Sequence, residues 1–173
     1  MRYFFITQDT GLPHSIQYRD FDIKGGRHLF LKADQERLNE MTVLYLDGKG
    51  EEARPDFIQR PVTMFSERLQ DILEAYEPEL IFKDVLLIHK EKELQYRYVH
   101  TLMDQLEAIS QNSEFYPNGM EKRLILDGRK AAGHHLFLLE NSRRRDPLVS
   151  LPLAESLLRR NCIGIRLEEV EVE

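Results

Sequence analysis

The sequence predicts an α+β fold, a mixed or mainly antiparallel sheet with helices packed on one face. Three observations lead there. Short runs rich in aromatic and β-branched residues, such as RYFFIT at Arg2–Thr7 and MTVLYL at Met41–Leu46, read as strands. Two stretches change period within a few residues, from a short apolar run to apolar residues at helical spacing and back to an apolar run. These two stretches also match each other. Residues 60–88 align without a gap on 145–173, pairing Met64 with Val149, Leu69 with Ala154, Leu73 with Leu158, Leu80 with Ile165 and Val85 with Val170. The match is one of pattern more than of text, and it predicts two pseudo-repeated strand–helix–strand units against one continuous sheet.

In chain order, Arg2–Thr7 is the first strand. Gln8–Gly26 has no strong period and reads as loop-rich, with a short strand at Ser15–Tyr18. His28–Lys32 and Met41–Leu46 follow as strands, the second closed by the turn signal Asp47-Gly48. Gly48–Gln59 is polar, carries Gly50 and Pro55, and reads as a surface loop. Ser66 stands where a helix N-cap belongs, and Leu69, Ile72, Leu73 and Tyr76 make one apolar face before Pro78 stops the helix. Leu80–His89 is a strand whose near-continuous apolar run implies cover on both faces.

Leu94–Tyr98 reads as a short strand, and Val99, Leu102, Met103, Leu106 and Ile109 predict a helix over 99–109. Ser110–Lys122, with Pro117 and Asn118-Gly119, is the expected connection between the sub-halves 1–110 and 122–173 of a single domain, the joining loop being 111–121. Arg123–Asp127 and His134–Glu140 read as a strand pair around Gly128–Gly133. Leu148–Ser150 is a short strand, and Pro152 suits the first turn of the helix that follows. Leu153, Leu157 and Leu158 are its expected inner face, with Glu155 and Arg159 paired outside and Asn161 as a left-handed cap. Ile163–Val172 closes the chain as a strand, and the doubled acidic step Glu168-Glu169 suggests a bulge.

At 173 residues, 42% hydrophobic and 31% charged, the composition is that of a globular domain able to bury a core. No apolar run reaches the roughly 18–20 residues a membrane helix needs, and the N-terminal apolar run is too short for a signal peptide. One cysteine, Cys162, excludes an internal disulfide and a multi-cysteine zinc site. The expectation is a cytoplasmic protein. A net charge of −6 argues against a general nucleic-acid binder and is compatible with a basic protein partner.

The chemical candidates each have an ordinary reading beside them. His134 and His135 are neighbours in a strand and point to opposite faces, so they do not share a metal ion. His100 and Asp104, four apart in the expected helix, lack a third ligand. Ser66 and Ser150 precede helices outside any Gly-x-Ser-x-Gly elbow, and capping or turn roles explain both. Cys162 reads as a small buried residue. Arg143, Arg144 and Arg145, with Arg159 and Arg160, form a basic set that a turn and a helix C-terminus explain. The acidic residues Glu168, Glu169, Glu171 and Glu173 read as the solvent face of the last strand, or as a surface for a basic partner. No catalytic residue, metal or cofactor is assigned.

Read together, HLFLLE, Val149-Ser150, LAESLLRR, Ile163-Gly164-Ile165 and the closing Leu-Glu-Glu-Val resemble the C-terminal part of immunity-protein family eleven of bacterial polymorphic toxin systems. TMFSERLQDILEAYEPELIFKDVLLI also fits, so the resemblance covers roughly residues 61–172. It implies a small protein, not an enzyme, that binds a cognate toxin and neutralises it by occlusion; the expectation of no nucleic-acid or membrane partner rests on the net charge and the short apolar runs. Partner-binding candidates are Glu168, Glu169 and Glu171 together with Tyr96, Tyr98, Phe115 and Tyr116. The alternatives are a small hydrolase-like enzyme and a non-enzymatic adaptor domain.

Overall fold

The computed structural model describes residues 1–12, 16–19, 31–47, 53–60 and 62–173. The α+β class holds, but the strands form two six-stranded sheets instead of one. The first sheet runs β2-β3-β6-β7-β5-β4, with β2 Gln17–Arg19, β3 Met41–Asp47, β4 Phe57–Ile58, β5 Met64–Ser66, β6 Ile81–His89 and β7 Leu94–Leu102. The second runs β11-β14-β1-β13-β12-β8, with β1 Tyr3–Gln8, β8 Gln105–Leu106, β11 Ile125–Leu126, β12 Leu136–Leu139, β13 Leu148–Ser150 and β14 Ile165–Val172. A hairpin of β9 Glu114–Phe115 and β10 Glu121–Arg123 stands apart from both.

The repeated pattern is real structure. In β5–α1–β6 the helix α1 is Gln70–Tyr76, and in β13–α2–β14 the helix α2 is Leu151–Arg159. The two strands of each unit flank one antiparallel strand, β7 in the first unit and β1 in the second. Each unit therefore belongs to its own sheet. The expected sub-halves do not map onto these sheets, because β1 and β8 lie in the sheet that carries the C-terminus.

Both helices feed one central core. Leu69 and Leu73 of the first unit meet Leu153, Ala154 and Leu157 of the second, joined by Phe65 and Val99 from one sheet and Ile6 and Val149 from the other. Strand alternation sends Tyr3, Phe5, Leu148 and Phe137 to the far side of the second sheet, and Met64, Val85, Leu87 and Tyr98 to the far side of the first. Each sheet is thus packed on two faces, with the helices on the face that both share.

Several expectations are corrected. Residues 99–109 are not a helix: β7 continues to Leu102 and β8 follows. Tyr98 to Leu102 are all buried, so their apolar residues do not alternate, and a strand covered on both faces mimics helical spacing. Conversely, β6 has the continuous apolar run but alternates in burial, leaving Leu86 and Ile88 half-buried. β11 pairs with β14 and β12 with β13 and β8, so 123–140 holds no hairpin of its own. β14 pairs β1 in unbroken register from Ile165 to Val170, without a bulge. Leu158 is 53% exposed while Ala154 takes its place inside, because the inner stripe of α2 is 153, 154 and 157. Within the expected surface loop, Asp56, Phe57 and Ile58 are buried. The strand expected at His28–Lys32 lies largely outside the described residues, as does the turn at Gly48.

Candidate protein-binding surfaces

The connection between the expected halves carries the most exposed apolar cluster of candidates. Gly119 N–H donates to Tyr116 O and Tyr116 N–H to Met120 O, both at 2.8 Å. Pro117 and Asn118 make the turn, and Gly119 follows at φ +78°, where a glycine closes the hairpin without a Cβ clash. A Glu114–Lys122 pair at 2.6 Å ties the two strands. Beside the turn, where Glu121 pairs with Phe115, its carboxylate accepts from Ser142 Oγ at 2.6 Å and from Arg143 N–H at 3.2 Å. Burial raises the Glu121 pKa, but these bonds outweigh it and hold the carboxyl below its ordinary value. This anchoring presents Phe115, Tyr116 and Met120 at 45%, 51% and 53% exposure. Phe115 and Tyr116, named from sequence, are thus both exposed at the end of this hairpin. Met120 was missed because nothing in the local pattern distinguishes it from a core methionine.

The other two aromatic candidates sit elsewhere. Tyr98 is buried, and its hydroxyl donates to Pro55 O at 2.8 Å. Burial pushes its pKa upward. Tyr96 is half-buried, with the Arg54 guanidinium 4.7 Å from its ring centroid. Both line a cavity of about 580 Å³ together with Arg54, Asp56, Arg68, Arg97 and Asn161.

Its floor is a charged knot. Asp56 accepts from Arg68 Nε and Ser66 Oγ at 2.7 Å and from Ile163 N–H at 2.9 Å. Arg68 also donates to the carbonyls of Arg160 and Asn161 at the end of α2. Burial alone would raise the Asp56 pKa; the bonds from Arg68, Ile163 and Ser66 together bring it below its ordinary value. Ser66 therefore serves Asp56 and makes no side-chain cap. Beside this knot the Cys162 thiol is pushed up to about 12, first by burial and then by the Asp56 charge, which disfavours the thiolate.

The acidic closing strand is not a bare negative surface. Glu169 takes Arg2 at 2.6 and 2.8 Å, Glu168 takes Arg144 at 2.6 and 3.0 Å, and Glu171 takes Arg123 at 2.5 and 2.9 Å. Each is a two-pronged arginine pair. Hydrogen bonding to its arginine holds Glu168 and Glu169 below the usual carboxylate range. The strand is also no sheet edge, since β1 and β11 flank it. The basic set is likewise dispersed: Arg144 lies over the Phe5 ring at 3.7 Å, Arg159 pairs with Glu155, and Arg160 bonds Ser156 O.

The remaining chemical candidates separate or are absorbed. His100 is buried in β7, and Asp104 lies past the strand end bound to Lys32 at 2.5 Å, so the two are not helical neighbours. His134 packs edge-on against Phe137, while His135 Nδ1 shares a 2.7 Å hydrogen bond with Ser150 Oγ. The register Leu136↔Val149 makes that contact. A serine hydroxyl on an imidazole is the start of a nucleophilic set. Here the hydroxyl has no exposed surface and accepts the capping bond from Leu153 N–H at 3.4 Å. Among the described residues, no group of three or more His, Cys, Asp or Glu side chains is placed to hold a metal ion, and no helix is long and apolar enough to cross a membrane.

In comparisons with known proteins, the chain matches no family model and no curated protein.

Proposed function

We propose that this is a protein-binding protein, and specifically an immunity protein that neutralises a cognate bacterial toxin by occlusion. The hairpin tip carries the reading. Phe115, Tyr116 and Met120 are large, exposed and held on a tied turn. Aromatic residues and methionine are enriched at interface cores, and rigid anchors lose little entropy on binding. The resemblance over residues 61–172 supports the partner class. A standard interface buries about 1,600 Å², more than a hairpin tip supplies, so surfaces beside it share the contact while the tip provides the anchors.

The experiment is co-expression with whichever toxin-like domains are encoded beside this chain's gene. Rescue of growth and a purified complex are expected, and Phe115→Ala with Tyr116→Ala should weaken the complex by about 2 kcal/mol or more while the fold persists. Absence of both rescue and complex would sink the proposal. A complex unaffected by the double substitution would move the interface off the hairpin.

A further inference from the structure

The cavity beside Tyr96 has a feature that side chains alone do not explain. β5 ends at Ser66, opposite Tyr98, because the chain turns into a short 3-10 helix at Glu67–Leu69. β7 runs on to Leu94, and over Leu94–Arg97 its partner among the described strands is β6. On the β5 side, Thr101 N–H donates to Thr63 O at 3.1 Å. Backbone groups along an antiparallel strand alternate between its two neighbours, so those of Val99, Arg97 and Gln95 face the same side as Thr101. Val99 meets Phe65 there. Arg97 and Gln95 lie past the last β5 pair, and the cavity is lined by Gln95, Tyr96 and Arg97 together, as an opening onto a strand edge must be.

Charge gives this edge a preference. Arg68 is held by Asp56, and Arg97 by Asp84 at 2.8 Å and Glu67 at 3.6 Å. The Arg54 guanidinium carbon stands 4.7 Å from the Tyr96 ring centroid, and among the described residues no carboxylate pairs with it. A guanidinium held over a ring face still has N–H groups to offer an anion. In a strand added beside β7, a side chain opposite Tyr96 lies on the face that Tyr96 and Arg54 share.

We infer that the Gln95–Arg97 edge is a docking site for an extended acidic peptide segment of a partner protein. The segment pairs with β7 through the backbone groups of Gln95 and Arg97, and one Asp or Glu side chain opposite Tyr96 binds Arg54. Main-chain bonds supply affinity in this mode and the single acidic position supplies selectivity. The site is separate from the hairpin tip, and it stands or falls independently of the toxin-neutralising reading.

The test titrates the full-length, isotope-labelled protein with the synthetic peptide acetyl-Thr-Val-Asp-Val-Thr-amide, following amide and arginine side-chain signals. Saturable shifts centred on Gln95–Arg97 and Arg54 are expected, with binding about tenfold tighter than that of the Asn-for-Asp peptide, since a charge-assisted bond is lost in the latter. A peptide N-methylated at both valines, whose amides face the edge, should fail to saturate. Arg54→Gln should remove the Asp-over-Asn preference while leaving the rest of the spectrum in place. No saturable shift with the Asp peptide overturns the site. Equal binding of the methylated peptide overturns the strand-pairing mode, and displacement by equimolar glutarate overturns the peptide assignment in favour of a small-carboxylate pocket.

Discussion

Arg68 grips Asp56 through two parallel bonds, Nε to Oδ1 at 2.7 Å and Nη2 to Oδ2 at 2.5 Å, and its further bonds to the carbonyls of Arg160 and Asn161 tie the start of the first unit to the end of α2. The Asp56 side chain is 6% exposed and that of Arg68 46%, so the carboxylate bears most of the burial. Arg68→Ala leaves that buried charge without its partner and should cost about 3 kcal/mol, the lower end for breaking a buried pair because the arginine is half in solvent. Urea denaturation at neutral pH measures this, and a loss under about 1 kcal/mol would show that solvent replaces the arginine.

The same knot sets a pH dependence. The folded Asp56 pKa lies below the ordinary value, so the carboxylate contributes stability that is present above the unfolded pKa and lost as pH falls through the folded one. Stability should decline from about pH 5 downward, since the unfolded aspartate titrates near 3.9. Asp56→Asn should be less stable at pH 7 and show a shallower acid decline. Parallel acid limbs for the two proteins would exclude Asp56 as a source of it.

The two helices predict an asymmetry that their sequence alignment hides. Leu73 is fully buried, whereas its aligned partner Leu158 is 53% exposed and Leu157 is buried instead. Leu73→Ala and Leu157→Ala should each cost about 2–5 kcal/mol, and Leu158→Ala less than about 0.5 kcal/mol. Equal losses at 157 and 158 would mean α2 is rotated from the position described.

Gly164 has a positive φ of +78°, and a Cβ there would stand 2.3 Å from Pro55 Cβ and 3.0 Å from Pro55 Cα. Backbone conformation and close approach both demand glycine. Gly164→Ala should destabilise by about 1–3 kcal/mol or more, read from thermal melts. An unchanged melting temperature would show that the 53–56 segment moves aside freely.

Ser150→Ala removes an N-cap and the partner of His135, and should cost about 1–2 kcal/mol in denaturant melts. A fluorophosphonate probe should leave the folded wild-type protein unlabelled, because the hydroxyl has no exposed surface. Labelling at Ser150 would bring the hydrolase alternative forward.

Reversing Glu168, Glu169 and Glu171 to lysine breaks three exposed arginine pairs, which solvent screening leaves with little weight in stability. With their charge matched by Arg144, Arg2 and Arg123, these residues should influence the association rate with a toxin less than the hairpin tip influences the dissociation rate. Stopped-flow and dissociation kinetics on the two variants compare them directly. A larger loss from the glutamates would restore the acidic strand as the main contact.

Local periodicity along the chain encodes a definite share of this fold. RYFFIT, MTVLYL and LIFKDVLLIH were legible as strands, apolar spacing located both helices although Ser66 does not cap the first, and the repeat exposed two equivalent strand–helix–strand units. Phe115 and Tyr116 could be named as candidates from residue type alone, and their exposure became visible only in the structure. Tertiary structure alone decided the rest, because each remaining feature joins residues far apart in the chain. Val99–Ile109 carries helical spacing, yet burial on both sides of β7 produces the same pattern in a strand. The placing of β1 between β13 and β14 separates the two sheets, and no local signal marks it. Arginines from three distant segments meet the glutamates of β14, and Arg54 meets Tyr96, a residue far from it in the chain. Side-chain period reports which face of an element is apolar; which element covers that face, and which charge meets which, is settled by packing across the whole chain.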